Sequence, residues 1–258
     1  MQIRFLGCHH TETSSTRLSS LLVDKELVID AGAITSTLTA EEQSQIRAVL
    51  LTHQHLDHVR DVPTLALNGF GSGNTLAVFA TPETLKSVKD HLLDGSIYPD
   101  FTQIPSPEEP RIKLISLQPG AEQEVCGYRV TPVSVIHCEG SVGYLLRSRA
   151  GKVLFYTGDT NGEGLTSNWQ ELKPDLVIVE VTFPNSQESL ARLTNHLTPQ
   201  MLAMEITTLQ ESGGEMPRFV VTHMNTLLEA EIQEELNILS KSLDVSITLA
   251  NEELVIEL

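Results

Sequence analysis

Residues 50–59 read LLTHQHLDHV, an apolar run followed by three histidines and one aspartate within six positions. In an extended segment His53 and His55 lie two apart and point to one side, while Asp57 and His58 fall where a following helix would begin. One strand-to-helix turn can therefore aim four donors at a single point, as a divalent cation requires. Three further apolar runs end in a donor: TPVSVIH at His137, VLFYTGD at Asp159 and FVVTH at His223. Taken singly, each has an ordinary explanation, as a solvated or internally satisfied histidine or a Gly-Asp turn. Their common position at strand ends, where layered α/β proteins collect their sites, joins them into one set. Imidazole and carboxylate without thiolate suit zinc, manganese or iron, with zinc the commonest match.

These donors need strands to carry them. Short apolar runs at 3–6, 20–23, 27–29, 48–51 and 76–79 alternate with helix-like stretches, of which 82–93 is the clearest. Further runs follow at 112–117, 128–136, 142–146, 153–156, 176–181 and 219–221, with helical patterns at 199–211 and 227–239. Pro199 follows Thr198 as a first helical residue follows its cap. The pattern is α/β, and 258 residues with 40% apolar content make one large domain over 1–258 the expectation. Between the runs, 94–111 carries four prolines and little periodicity, so it reads as a long functional loop, a candidate lid. The regions on either side share a β-then-α character, as a diverged duplication would.

The His-x-His-x-Asp-His turn at His53, His55, Asp57 and His58 resembles the hallmark of the metallo-β-lactamase superfamily, and the resemblance runs nearly end to end. It implies a four-layer αβ/βα sandwich with two metals at one edge of the paired sheets. One metal would be held by His53, His55 and His137 and the second by Asp57, His58 and His223, with Asp159 bridging. A histidine at position 55, instead of the glutamate of the redox diiron branch, points to hydrolysis. Within the superfamily the chain is most similar to class II cyclic-nucleotide phosphodiesterases and their bacterial relatives. The segments that carry this are LTHQHLDH, DGSIYPDFTQIPSPEEP, SVGYLL, FYTGDT, IVEVTFPN and NHLTP. Asn195 stands where a glycine commonly precedes the histidine, and CHHTETSSTR at 8–17 is not the usual glycine-rich loop.

The resemblance implies a small phosphodiester as substrate. Two divalent ions about 3.5–4 Å apart share a water and lower its pKa toward ~7. Asp57 is the candidate to orient the hydroxide, and His196 the candidate general acid or phosphate contact. Glu180, inside LVIVEV, would be costly to bury alone, so it is expected either to hydrogen-bond a metal-ligating histidine or to sit on an edge strand. The adjacent His9 and His10 are expected to be solvated, His91 to lie on a helix surface and Tyr144 in the core.

Composition narrows the function further. Seventeen basic against 34 acidic side chains give a formal charge of -17, which opposes extended contact with a nucleic-acid backbone. This argues against a ribonuclease of the transfer-RNA 3′-end type. A lactonase or thioesterase and a metal-bound ligand sensor are the other rivals. The N-terminal stretch lacks a secretion signal and no apolar run approaches the ~20 residues that span a bilayer, so a soluble, cytoplasmic protein without membrane contact is expected. Three scattered cysteines, Cys8, Cys126 and Cys138, propose neither a disulfide framework nor a cysteine-based zinc site. Homodimers are common in the superfamily, and the resemblance extends that expectation here.

Overall fold

The structure, a computed structural model, describes residues 1–71, 73–213 and 215–258. A first sheet collects β1 (Gln2–Gly7), β2 (Ser20–Val23), β3 (Leu27–Ile29), β4 (Ala48–Leu50), β5 (Leu76–Ala80) and β6 (Ile112–Ser116). The second collects β7 (Gln123–Val125), β8 (Tyr128–Ser134), β9 (Val142–Arg147), β10 (Val153–Tyr156), β11 (Leu176–Glu180), β12 (Arg218–Thr222) and β13 (Ile247–Leu249). The last strand, β14 (Val255–Glu257), returns to the first sheet and pairs antiparallel with β1. In each sheet one end is antiparallel and the other parallel, the parallel runs being β3–β6 and β10–β13.

Alternation along single strands explains the layers. In β11, Leu176 and Ile178 face the core between the sheets, whereas Val177 and Val179 face helices. In β4, Ala48 and Leu50 face inward and Val49 faces the opposite helices. Both faces are covered, so these strands read as unbroken apolar runs. Each fully buried Val, Leu or Ile contributes roughly 1.5–3 kcal/mol. The outer layer on the first sheet is α1 (Ile34–Thr37), α2 (Ala40–Gln45), α3 (Leu56–Val59), α4 (Val62–Asn68) and α5 (Pro82–His91). That on the second is α6 (Leu165–Leu172), α7 (Glu188–Thr194), α8 (Pro199–Glu211) and α9 (Glu229–Leu243). The result is the four-layer αβ/βα sandwich the resemblance implied.

Some boundaries move. The helix expected over 82–93 ends at His91, and that expected over 227–239 runs over Glu229–Leu243. The strand expected to reach 136 stops at Ser134, where the chain turns to present His137. The short α3 lies where the sequence placed a helix start after His55, whereas α1, α2, α4, α6 and α7 were not anticipated, because a helix of about two turns shows little period. Segment 94–111 contains no helix or strand, but it is not free: Lys89 pairs with Asp100, Tyr98 meets Thr64 at 3.1 Å, and Phe101 is buried. The Arg111 guanidinium donates to Ala66 O at 3.0 Å. These contacts tie the expected lid to α4 and α5. Among the described residues no helix is long and apolar enough to cross a membrane.

Candidate metal centre

Strands β4, β8, β10 and β12 all end at one rim, and the donors follow their last residues. Past β4 the chain bends at Thr52 and Gln54 and reaches His55, whose extended backbone (φ -66, ψ 148) is the N-cap of α3. Asp57 and His58 thus occupy the first helical turn. Past β10, Gly158 turns at φ 59, a left-handed conformation that favours glycine, and delivers Asp159. Past β12, His223 itself adopts φ 65. A non-glycine residue held there costs of order 1–3 kcal/mol, a strain typical of functional positions.

All seven expected metal donors come together, four of the imidazoles directly around one oxygen of Asp159. Asp159 Oδ2 lies 3.4 Å from the Nε2 atoms of His58 and His223 and 3.7 Å from those of His53 and His137. Asp57 Oδ2 is 3.3 Å from His223 Nε2 and 3.5 Å from His58 Nε2, and His55 Nδ1 faces His137 Nε2 at 3.1 Å. The donors form one group of His53, His55, His137 and Cys138 and another of Asp57, His58, Asp159 and His223.

Hydrogen bonds behind the imidazoles explain why the inner nitrogens point inward with lone pairs. His58 Nδ1 donates to Asp30 Oδ2 at 2.8 Å, and His53 Nδ1 to Thr52 Oγ1 at 3.1 Å. The Thr52 hydroxyl in turn donates to Asp30. The second sheet repeats the device: His223 Nδ1 donates to Thr182 Oγ1 at 2.8 Å, and Thr182 donates to Glu180 Oε2 at 2.8 Å. His137 Nδ1 donates to Asn195 O at 3.1 Å, while Asn195 Nδ2 donates back to His137 O. Fixing the outer N–H sets the tautomer and frees the inner nitrogen to ligate.

The residues fit divalent cations on their own chemistry. His53 Nε2 and Asp159 Oδ1 are buried without a hydrogen-bond partner, a cost that a bound cation relieves. Burial would raise the Asp159 carboxyl, yet the surrounding imidazoles, His223 and His58 foremost, hold it well below the usual range. Asp57 is likewise lowered, by His58 and His223 against burial. Burial holds His53, His55 and His137 neutral. His58 goes the other way: against burial, Asp159, Asp30 and Asp57 raise it, so a proton takes the place a cation would take.

Beside this cluster sits His196, its ring 4.7 Å from that of His137 and stacked 5.5 Å from that of His223. Its Nδ1 is 2.7 Å from Glu180 Oε1. Burial opposes protonation, but Glu180 prevails and pushes the imidazole up to about 9. Glu180 therefore serves His196 directly and reaches a candidate ligand, His223, only through Thr182. Nor is it on an edge, since β11 lies between β10 and β12. Asn195, at φ 56, fills the left-handed position a glycine would take, which asparagine tolerates.

Two expectations need correction. His9 is not solvated but buried, with Nδ1 2.8 Å from Glu252 Oε1; burial would lower it, and Glu252 and Glu229 raise it. His10 packs its ring 5.2 Å from that of His223, and burial pushes it down to about 4. Cys138, which the sequence assigned to no cysteine-based zinc site, lies beside three imidazoles in the first donor group. Asp30, Thr52 and Thr182 were missed, although Asp30 ends the apolar run LVID just as the recognised donors end theirs. His91 is exposed and Tyr144 buried, its hydroxyl donating to Leu51 O, as expected.

Comparison with known proteins gives a family match over residues 27–224, described as a beta-lactamase superfamily domain. Among solved structures, unliganded yeast PDE1 superposes with a TM-score of 0.82 at 18% identity, covering 100% of this chain and 99% of that one. The metallo-beta-lactamase fold protein YhfI from Bacillus subtilis gives 0.76 at 18% identity, covering 99% and 98%. Human tRNase Z, short form, gives 0.68 at 21% identity, covering 100% and 99%. An octanoyltransferase of Porphyromonas gingivalis is 33% identical over 93 residues, 35% of this chain, and the match spans only 17% of that protein's length.

Proposed function

This chain belongs to the metallo-β-lactamase superfamily, and from that premise we propose that it is a metal-dependent hydrolase of small phosphodiesters, with a cyclic-nucleotide-like compound as the best candidate. The observation that carries this reading is the pairing of a donor cluster centred on Asp159 Oδ2 with the His196 imidazolium, held by Glu180 on the same rim. Two divalent cations bound there would supply hydroxide at neutral pH and positive charge for the phosphoryl oxygens.

The chain's own groups then divide the work. His53, His55, His137, Asp57, His58, Asp159 and His223 hold the cations, and Asp30, Thr52, Thr182 and Asn195 fix their orientation. Asp57, partly exposed at the edge of the donor cluster, would accept a hydrogen bond from the attacking water and orient it. His196, protonated at neutral pH, donates to the departing alkoxide, which leaves poorly without a proton. An acid so placed serves phosphodiester cleavage better than simple binding, which needs no proton donor. A resemblance to human tRNase Z in fold does not extend to its substrate, because the -17 charge repels an RNA backbone.

The test is metal analysis of one sample together with its turnover of cyclic AMP, cyclic GMP, a chromogenic phosphodiester and a panel of lactones and thioesters. Two equivalents of metal and turnover of at least one phosphodiester are expected. Turnover of esters alone overturns the phosphoryl assignment, and tight nucleotide binding without turnover identifies a sensor instead.

A further inference from the structure

The group around His53, His55 and His137 includes a fourth donor that the reading above leaves unused. Cys138 Sγ and the three imidazole donor atoms all lie within 4.8 Å of one another. The residue directly follows His137, so the turn after β8 presents an imidazole and a thiol to the same space.

That turn is closely built. The Cys138 N–H donates to Ser141 Oγ at 3.1 Å, and the same hydroxyl, buried, lies 3.1 Å from Sγ. The sulfur is thus held in place beside a hydroxyl that can donate to it, an outer partner of the kind a coordinating thiolate uses. Independently, His53 Nε2 in the same group is buried and has no hydrogen-bond partner.

We propose that Cys138 is a metal ligand, its thiolate joining His53, His55 and His137 around one cation. The two halves of the centre then differ: one has a sulfur donor, the other the carboxylates of Asp57 and Asp159. On binding, the thiol proton leaves to solvent as the cation takes its place. A soft donor favours zinc or cobalt at the Cys138 position, whereas the carboxylate half also accepts harder ions such as manganese. The inference rests on the reading of the cluster as a metal centre.

Cobalt(II) loading of the full chain tests it, because a thiolate–cobalt bond gives a near-ultraviolet charge-transfer band that imidazole and carboxylate ligands do not. The band is expected in the natural protein, absent from Cys138→Ser and Cys138→Ala, and retained in Cys8→Ser and Cys126→Ser. Visible cobalt bands should persist in all of them, with affinity at one of the two positions weakened about 10–100-fold in the Cys138 variants. Visible bands without the charge-transfer band in the natural protein overturn the role of Cys138 and leave the metal centre standing, as does a band that survives in Cys138→Ser. No cobalt spectrum at all overturns both. If the Cys138 variants fail to fold, alkylation of the natural protein by iodoacetamide decides: cobalt should slow modification of Cys138 about tenfold, since a bound thiolate is a poor nucleophile, and an unchanged rate overturns the assignment.

Discussion

Glu180 and His196, 2.7 Å apart and both buried, decide at the scale of single residues how the cleft handles a proton. Cations bound at the proposed centre would draw the imidazole below the value of about 9 it has beside Glu180. Activity should therefore fall on the alkaline side as pH climbs toward 9, and Glu180→Gln should move that limb to lower pH. Removing the imidazole in His196→Ala should abolish the limb and cost about 10²–10⁴ in turnover while metal content stays the same. The linkage to stability has a definite sign. Because folding raises this pKa from 6.5, the pair's stabilisation is whole below pH 6.5 and is lost as pH rises through about 9. The gap in denaturation midpoint between the natural protein and His196→Ala should shrink across that window. Asp30 offers a second residue-scale test. It accepts from the outer nitrogen of His58, which the Thr52 hydroxyl also approaches at 3.5 Å, so Asp30→Asn removes a buried charge-assisted hydrogen bond and should cost about 1–3 kcal/mol in urea unfolding.

At the scale of elements, the donors depend on how tightly one segment presses on another. Gly32 shows this: a Cβ there would lie 2.2 Å from Asp57 O and 2.7 Å from Ser19 O, both backbone atoms. Gly32→Ala must push α3 outward, taking Asp57 and His58 with it. We expect a loss of about 1–3 kcal/mol in stability, as for other overpacked sites. Metal titration should show the Asp57/His58 position weakened more than the His53/His55/His137 position. Equal weakening of both would show that α3 moves the cluster as one body.

Across the whole molecule, the donors bridge two sheets. His53, His55, Asp57 and His58 come from the first, and His137, Asp159 and His223 from the second. Cations bound between them would tie the halves together, so chelation should lower the melting temperature if the proposed centre is right. Metal at 100 times its Kd contributes about 2.7 kcal/mol. The formal charge of -17 acts at longer range and repels an anionic substrate. Salt shortens that repulsion, to a Debye length of about 8 Å at 0.15 M. The kcat/KM for a phosphodiester should accordingly rise between low and physiological ionic strength, the reverse of what a basic nucleic-acid groove would show.

Sequence alone determined the donor types, their places at the ends of apolar runs, and the layered α/β architecture. These are local properties: a two-residue period sets which side His53 and His55 face, and an unbroken apolar run marks a strand covered on both faces. Tertiary structure decided the rest. Glu180 looked like a brace for a metal-ligating histidine and holds His196, because α7 and the turn after it bring that imidazole over the end of β11. Asp30 lies 28 residues from His58 in the chain and 2.8 Å away in space, a pairing that no spacing rule encodes. His9 seemed solvated beside His10 until the C-terminal segment laid Glu252 against it. Cys138 seemed isolated among scattered cysteines, and only the turn after β8 carries it to His53 and His55. The division has one cause: periodicity and donor chemistry are written in neighbouring residues, whereas a partner from another strand or the opposite sheet is known only once the chain has closed.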